Sequence, residues 1–317
     1  MRKTNNILIM GVLLITLLLS AGCNEAETSE TNGTIKVGFA VVDISMGYWS
    51  EQIEGAQAKA DELGIELVVY NSDADPAREI SVMEDWTSQD IDAIIISAVD
   101  PQALVPYVEQ AREKGIPIIA AIHDLEEYDA FVDQDEYRLG VMTGELAGHW
   151  IADNLEPNAE FAVLGFDGLE HVIIRGDGMV DGVQSIAPDA TLVARQDCNG
   201  RTDMGMEVAE SMMQAYPDLR VFVAVNDACA IGVYEAIKAS GKPLDDFCVV
   251  GSDGSKEAFE KIAELSVLRG TIDLNPFGAG QIEVQYAYDL INGKEVDEVT
   301  DAPMQTITYE NLPKEYK

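Results

Sequence analysis

Basic residues are scarce in this chain: 20 Lys and Arg face 57 Asp and Glu across 317 residues, a formal charge of -37. Such a chain is repelled by nucleic-acid phosphates and by anionic lipid surfaces, so neither is expected as a partner. The acidity reads as a solvated surface that keeps the protein soluble, with an acidic docking face for a basic partner as the alternative. Histidine is scarcer still: His123, His149 and His171 share no metal-ligand spacing, so no metal is expected. Walker, nucleophile-elbow and paired-cysteine zinc motifs are missing, and with them any sign of a catalytic residue or a cofactor. Gly251-Ser252-Asp253-Gly254-Ser255 has neither the glycine spacing nor the lysine of a phosphate loop.

Long apolar runs are missing too. The run over 7–21 is too short for a comfortable membrane span, but behind Arg2 and Lys3 it fits the h-region of a secretory signal. It ends in Leu19-Ser20-Ala21-Gly22-Cys23, which resembles a bacterial lipobox with Ser20 where Leu is usual. In that reading 1–22 is a lipoprotein signal peptide, Cys23 is lipidated, and the membrane is met through the lipid anchor only, on the extracytoplasmic face. The alternative is an ordinary cleaved signal followed by a chance cysteine. Residues 24–34 carry no large apolar side chain, so 23–34 reads as a flexible tether. Beyond it remain Cys198, Cys229 and Cys248, an odd count at irregular spacing and no disulfide framework. Cys229 and Cys248 read as small buried hydrophobes, and a bridge to Cys198 stays open.

What is present is regular alternation, in a chain long enough for two domains of ordinary size. Apolar strands are predicted at 36–42, 65–70, 93–97 and 116–122, with helices at 48–63, 76–86 and from Asp100-Pro101 to 114. A long helix over 137–154 follows, and the pattern restarts. Strands at 160–166, 191–194, 220–225 and 247–251 alternate with helices at 172–186, 203–215, 228–239 and 256–265. Strands that are apolar throughout belong to parallel sheets covered on both faces. The expectation is two doubly wound α/β lobes, parallel-rich and Rossmann-like, joined near 135. Their ligand site would lie beyond the carboxyl ends of the strands, in the cleft between the halves.

Polar and aromatic residues collect at those strand ends: Tyr48 and Trp49, Ser97, His123 and Asp124, Asn226 and Asp227, Asp253, with Arg175 early in a helix. Aromatic faces stack on the C–H face of a sugar ring, and Asp, Asn and Arg bond hydroxyls. Taken singly, Asp227 reads rather as a helix N-cap, and His149 and Trp86 as core residues on apolar helix faces.

The chain resembles the periplasmic sugar-binding proteins of ribose/galactose type, the type I solute-binding family, over nearly all of 35–312. Val37-Gly38-Phe39-Ala40, Tyr48-Trp49 and Glu54-Gly55-Ala56 are similar to the family's opening strand, aromatic pair and helix. Gln134-Asp135-Glu136-Tyr137 with Gly140 resembles its crossover. Arg175 with Gly178-Met179, Asn226-Asp227, and Val250-Gly251-Ser252-Asp253-Gly254 resemble its ligand-binding motifs. The resemblance implies a hinge of three crossings near 134, 274 and 305. One lobe would comprise 35–134 with 275–305, the other 135–274 with 306–317. It implies that Tyr48 and Trp49 stack on the ligand, that Arg175, Asn226 and Asp253 bond its oxygens, and that Ser97 lies at the pocket edge.

By the same alignment Met46, Ile122 and Leu274 stand where the family carries Asn, Asp or Gln, and His123 stands at an Arg or Lys position. An unpaired buried hydroxyl costs about 1–3 kcal/mol, so an ordinary pentose or hexose would fit poorly. A ligand with an apolar edge follows: a deoxysugar, a methylated polyol or a non-sugar. The function implied is a monomeric binding lipoprotein that carries a sugar, polyol or related small molecule to an ABC permease. The alternative is a module that senses a sugar or an autoinducer for a membrane kinase or chemoreceptor. A secreted enzyme would need a poised nucleophile or metal. Repressors of the same fold carry an N-terminal helix-turn-helix where this chain has a signal.

Overall fold

The computed structural model describes residues 34–45, 47–166, 170–265 and 267–317. The signal segment, Cys23, the tether up to residue 33 and Met46 lie outside them. In chain order, β1 (Lys36–Val41), α1 (Gly47–Leu63), β2 (Glu66–Asn71), α2 (Pro76–Ser88), β3 (Ala93–Ile96), α3 (Pro101–Glu113), β4 (Ile118–Ala121) and β5 (Ala130–Asp133) build most of a first lobe. The second lobe is α4 (Glu136–Asn154), β6 (Glu160–Gly165), α5 (Glu170–Ile186), β7 (Thr191–Asp197), α6 (Thr202–Ala215), β8 (Val221–Ala224), α7 (Asp227–Ala239), β9 (Cys248–Asp253), α8 (Lys256–Ala263) and β10 (Leu268–Asp273). The chain then returns with α9 (Pro276–Ile291) and β11 (Val299–Asp301) to the first sheet and ends with β12 (Gln305–Thr308) in the second.

The first sheet has the order β11-β5-β4-β3-β1-β2, and its pairings are parallel. The second runs β12-β10-β9-β8-β6-β7, parallel except where β12 pairs antiparallel with β10. Strand β3, Ala-Ile-Ile-Ile, shows why both faces must be covered. Ile94 and Ile96 pack with Trp86 and Leu104 on one face, while Ala93 and Ile95 pack with Trp49, Ala56 and Val284 on the other. Alternate side chains of a strand point to opposite faces, so a strand buried on both sides is apolar at every position.

Six of the helix starts carry side-chain caps. Asp75, Asp100, Asp135, Asn226, Ser255 and Asn275 each accept a bond from a first-turn backbone N–H, and Pro76, Pro101 and Pro276 follow three of them. Asn226, rather than Asp227, caps α7. Its side chain accepts from Cys229 N at 2.9 Å, while Asp227 already lies inside the helix.

Helices α4 and α5 meet backbone to backbone. A Cβ on Gly140 would stand 2.0 Å from the carbonyl oxygen of Arg175, and one on Gly144 would stand 2.2 Å from that of Met179. This contact sets the second and third turns of α4 directly against the stretch of α5 from Arg175 to Met179.

Three expectations are corrected. Cys229 is not a lone buried hydrophobe but forms a disulfide with Cys198, the two Cα atoms 6.6 Å apart; helical periodicity reports burial and says nothing of a partner. His149 is exposed, whereas Trp86 is core. Strands β5, β10, β11 and β12 and helix α9 have no counterpart in the strand and helix periodicity. β11 is three half-exposed residues, and β5 is four residues tucked behind Tyr128-Asp129. Cys248 is buried and free, its thiol pushed up to about 12 by burial.

Candidate functional site

A cavity of about 690 Å³ lies beyond the carboxyl ends of β3, β4 and β5, a size that suits a small solute. Ala98, Val99 and Pro101 supply one wall, and Ile122, His123 and Asp124 a second. Its floor runs from Phe131 and Asp133 through Gln134 to Asp135, Glu136 and Tyr137 at the start of α4, and Ile174 of α5 reaches in from the second lobe.

Two residues shape this rim, one buried and one partly buried. The first is Glu79 of α2, fully buried, whose two carboxylate oxygens accept from Val99 N at 3.0 and 2.9 Å. It thereby holds the loop that carries Ala98, Val99 and Pro101. Burial pushes its carboxyl up to about 7 against those backbone bonds. The second is Ile122, whose φ of +65° is unusual for a β-branched residue. The tight turn is pinned at both sides: His123 N donates to Ala121 O at 2.7 Å, and Ile122 N donates to Val132 O at 2.9 Å. His123 Nδ1 donates to Ala98 O at 2.7 Å, which ties the two walls together.

Of the residues expected to bind ligand, Ile122 and His123 line the cavity. Trp49 stands behind them, edge-on to His123 at 6.0 Å and to Tyr48 at 5.1 Å, and is buried. Ser97 is fully buried one residue before the wall, its Oγ without a partner. Tyr48 does not reach the cavity. It packs on Leu139, Ile272 and Leu274, with its hydroxyl buried and unpaired. Leu274, 6% exposed, sits in that same apolar cluster at the crossing from β10 to α9. It therefore gives no apolar edge to the cavity, and Ile122 does.

The second-lobe residues are tied to one another. Arg175 donates through Nε and Nη2 to the two carboxylate oxygens of Glu136 at 2.6 and 2.9 Å, and through Nη1 to Val225 O at 2.7 Å. Only 8% of its surface is exposed. The Asn226 side chain is used by its cap and by a bond from Nδ2 to Gly200 O at 3.1 Å. Asp227 is buried and accepts from Thr271 Oγ1 at 2.6 Å and Ser255 N at 2.7 Å; burial still pushes it up to about 6. Asp253 has φ +130°, and burial followed by the charge of Asp227 pushes its carboxyl up to about 8, with Arg175 opposing. Met46 lies outside the described residues. The cavity acids Asp133, Asp135 and Glu136, together with Gln134 and Glu79, were not among the expected site residues. The segment 134–137 did carry a signal, since it is the crossover motif, but as a hinge rather than a wall.

The described residues hold no cluster of His, Cys, Asp and Glu able to bind a metal, and no helix among them is long and apolar enough to cross a membrane. With this geometry in place, comparison with known proteins settles the family. The model of the periplasmic binding protein domain matches residues 37–295. The chain belongs to that family. It is 28% identical over 308 residues to the ribose import binding protein of Bacillus subtilis, covering 94% of this chain and 97% of that one. It is 27% identical over 299 residues to the xylitol-binding protein of Mycolicibacterium smegmatis, covering 92% and 82%. The fold is similar to the periplasmic ribose ABC transporter structure from Conexibacter woesei, with TM-score 0.78, 24% identity and coverage of 88% and 94%. The family is one of binding proteins.

One buried pair behind the site makes a pH prediction. Glu283 of α9 is fully buried, accepts from Gln52 Nε2 at 2.7 Å, and leaves its second oxygen unpaired. Burial pushes its carboxyl from 4.5 up to about 8. The folded state therefore holds a proton that the unfolded chain has released, and stability falls as pH rises through that window, by up to about 1.4 kcal/mol per pH unit. Urea unfolding between pH 5 and 8 should show this slope reduced in Glu283→Gln. An unchanged slope would show that Glu283 is ionised in the fold.

Proposed function

We propose that this protein is the extracytoplasmic solute-binding component of an ABC importer, and that it takes a sugar or polyol in the cavity bounded by Ile122, Asp133, Glu136 and Ile174. The observation that carries this reading is the position of the cavity: beyond the strand ends of the first sheet, with its far wall built by the first turns of α4 and α5. A solute there touches both lobes. Binding can then alter how they meet, which is the difference a permease reads. The three chain crossings, near 134, 274 and 305, would serve as the hinge. The relatives support the solute class: one is a ribose import binding protein and another a xylitol-binding protein. Apolar Ile122 and Phe131 offer a surface for the C–H face of a ring, and the acids beside them accept from hydroxyls.

Thermal denaturation against a panel of pentoses, hexoses, deoxysugars and polyols tests the reading. A true ligand at 100 times its dissociation constant adds about 2.7 kcal/mol to stability. No shift with any member at 10 mM (roughly 100 times a dissociation constant of about 0.1 mM) would overturn it.

Attachment to the membrane through Cys23 is part of the same proposal. It is supported by the sequence Leu19-Ser20-Ala21-Gly22-Cys23 behind an apolar run. Cell fractionation should find the native chain with membranes and Cys23→Ser in the soluble fraction. Continued membrane association of the substituted chain would refute the anchor.

A further inference from the structure

The cavity is one-sided in charge. Among the described residues its ionisable lining consists of Asp124, Asp133, Asp135 and Glu136 with His123 and Tyr137, and no described Lys or Arg lines it. Two of these acids are already engaged: Asp135 caps α4 by accepting from Arg138 N at 2.8 Å, and Glu136 holds Arg175. The other two are not. Neither the Asp124 nor the Asp133 carboxylate forms a hydrogen bond or an ion pair with a described residue. On α4, Arg138 is ion-paired with Asp301 of β11. Burial and the charges of Asp135, Asp301, Asp124 and Glu136 all disfavour the ionised form of Asp133.

Gln134 supplies the second observation. It is 8% exposed, lines the same cavity, and its side-chain amide bonds no described residue. The residue as a whole is nearly buried, yet its amide is not one of the sealed-off unpaired groups of the interior, so its polar atoms open onto the cavity. There, beside two carboxylates that no described residue engages, it is placed to meet the polar groups of a ligand. A hydroxyl brings one donor and no charge. An ammonium brings three donors and a charge that offsets the repulsion among the acids. Val99, Ile122, Phe131 and Ile174 supply apolar lining in the same cavity, which suits a ring face.

We propose that the cavity selects a protonated amine on a hydroxylated frame, an amino sugar or amino polyol. Its ammonium meets Asp133 and Asp124, a neighbouring hydroxyl meets Gln134, and its C–H face lies on Ile122 and Phe131. Sugar acids and sugar phosphates are rejected by the same carboxylates. The proposal rests on the solute-binding reading and narrows it.

The test is isothermal calorimetry on the full chain at pH 7 with matched probes: D-glucosamine, D-glucose and D-glucuronate, and the corresponding galactose series. A charge-assisted hydrogen bond is about twice as strong as a neutral one. The amino sugar of a series should therefore bind at least about tenfold tighter than its neutral parent. The uronate should give no heat. Asp133→Asn keeps the side-chain shape and should bring the amino and neutral sugars within about twofold of each other. Asp124→Asn is the second variant should the first not fold. Neutral sugars binding as tightly as their amino counterparts, or uronates binding at all, would overturn the inference and leave the solute-binding reading standing. Absence of heat with all of these probes would also overturn the inference, whereas the solute-binding reading falls only if the thermal panel of pentoses, hexoses, deoxysugars and polyols fails as well.

Discussion

The fork of hydrogen bonds between Glu136 and Arg175 sits where the first lobe becomes the second, and the site is arranged around it. In four residues the chain ends β5 with Asp133, turns a buried Gln134 into the cavity, caps α4 with Asp135 and clamps α5 with Glu136. Planar guanidinium and carboxylate groups match in two parallel bonds, so the pair fixes direction as well as distance. The glycine contact between α4 and α5 permits the approach, since any side chain at Gly140 would push Arg175 away. Arg175 is thus held to the cavity wall by Glu136 and to Val225 by its remaining nitrogen, and the positive charge of the region is largely answered before a solute arrives.

That leaves acids in control of the interior. Glu79, Asp133, Asp227, Asp253 and Glu283 are all pushed upward, with burial the first cause in each case. The chain has few bases to pair with them, and the remedy differs from site to site. Backbone N–H groups serve Glu79, a hydroxyl and an amide N–H serve Asp227, and a glutamine serves Glu283. Asp124 and Asp133, facing the cavity, receive no such partner from a described residue.

The frame was legible in the sequence because burial leaves a period. The all-apolar run of β3 and the Asp-Pro start of α3 follow from strand geometry and helix capping alone. That β11 joins the first sheet was not legible in the periodicity, since β11 is too short and too exposed to carry a pattern; only the family resemblance implied a return of the chain. The site was less legible because polar partners are chosen in three dimensions. Arg175 and Asn226 have the right chemistry to bond a sugar, yet their groups go to Glu136, Val225, Gly200 and the α7 cap. Tyr48 and Leu274 are near the right strand ends but meet each other in an apolar cluster. Glu79 gave no sign at all, because an acid in the first turn of a helix looks like a surface residue until the loop it holds is known.

The central claim is that the solute binds at the crossing, touching both lobes. Hydrogen–deuterium exchange with and without a saturating sugar reads this by segment. The account predicts new protection in 98–101, 122–124 and 131–137 together with the α5 turn around Ile174. Protection confined to one lobe, or lying elsewhere in the chain, would contradict it.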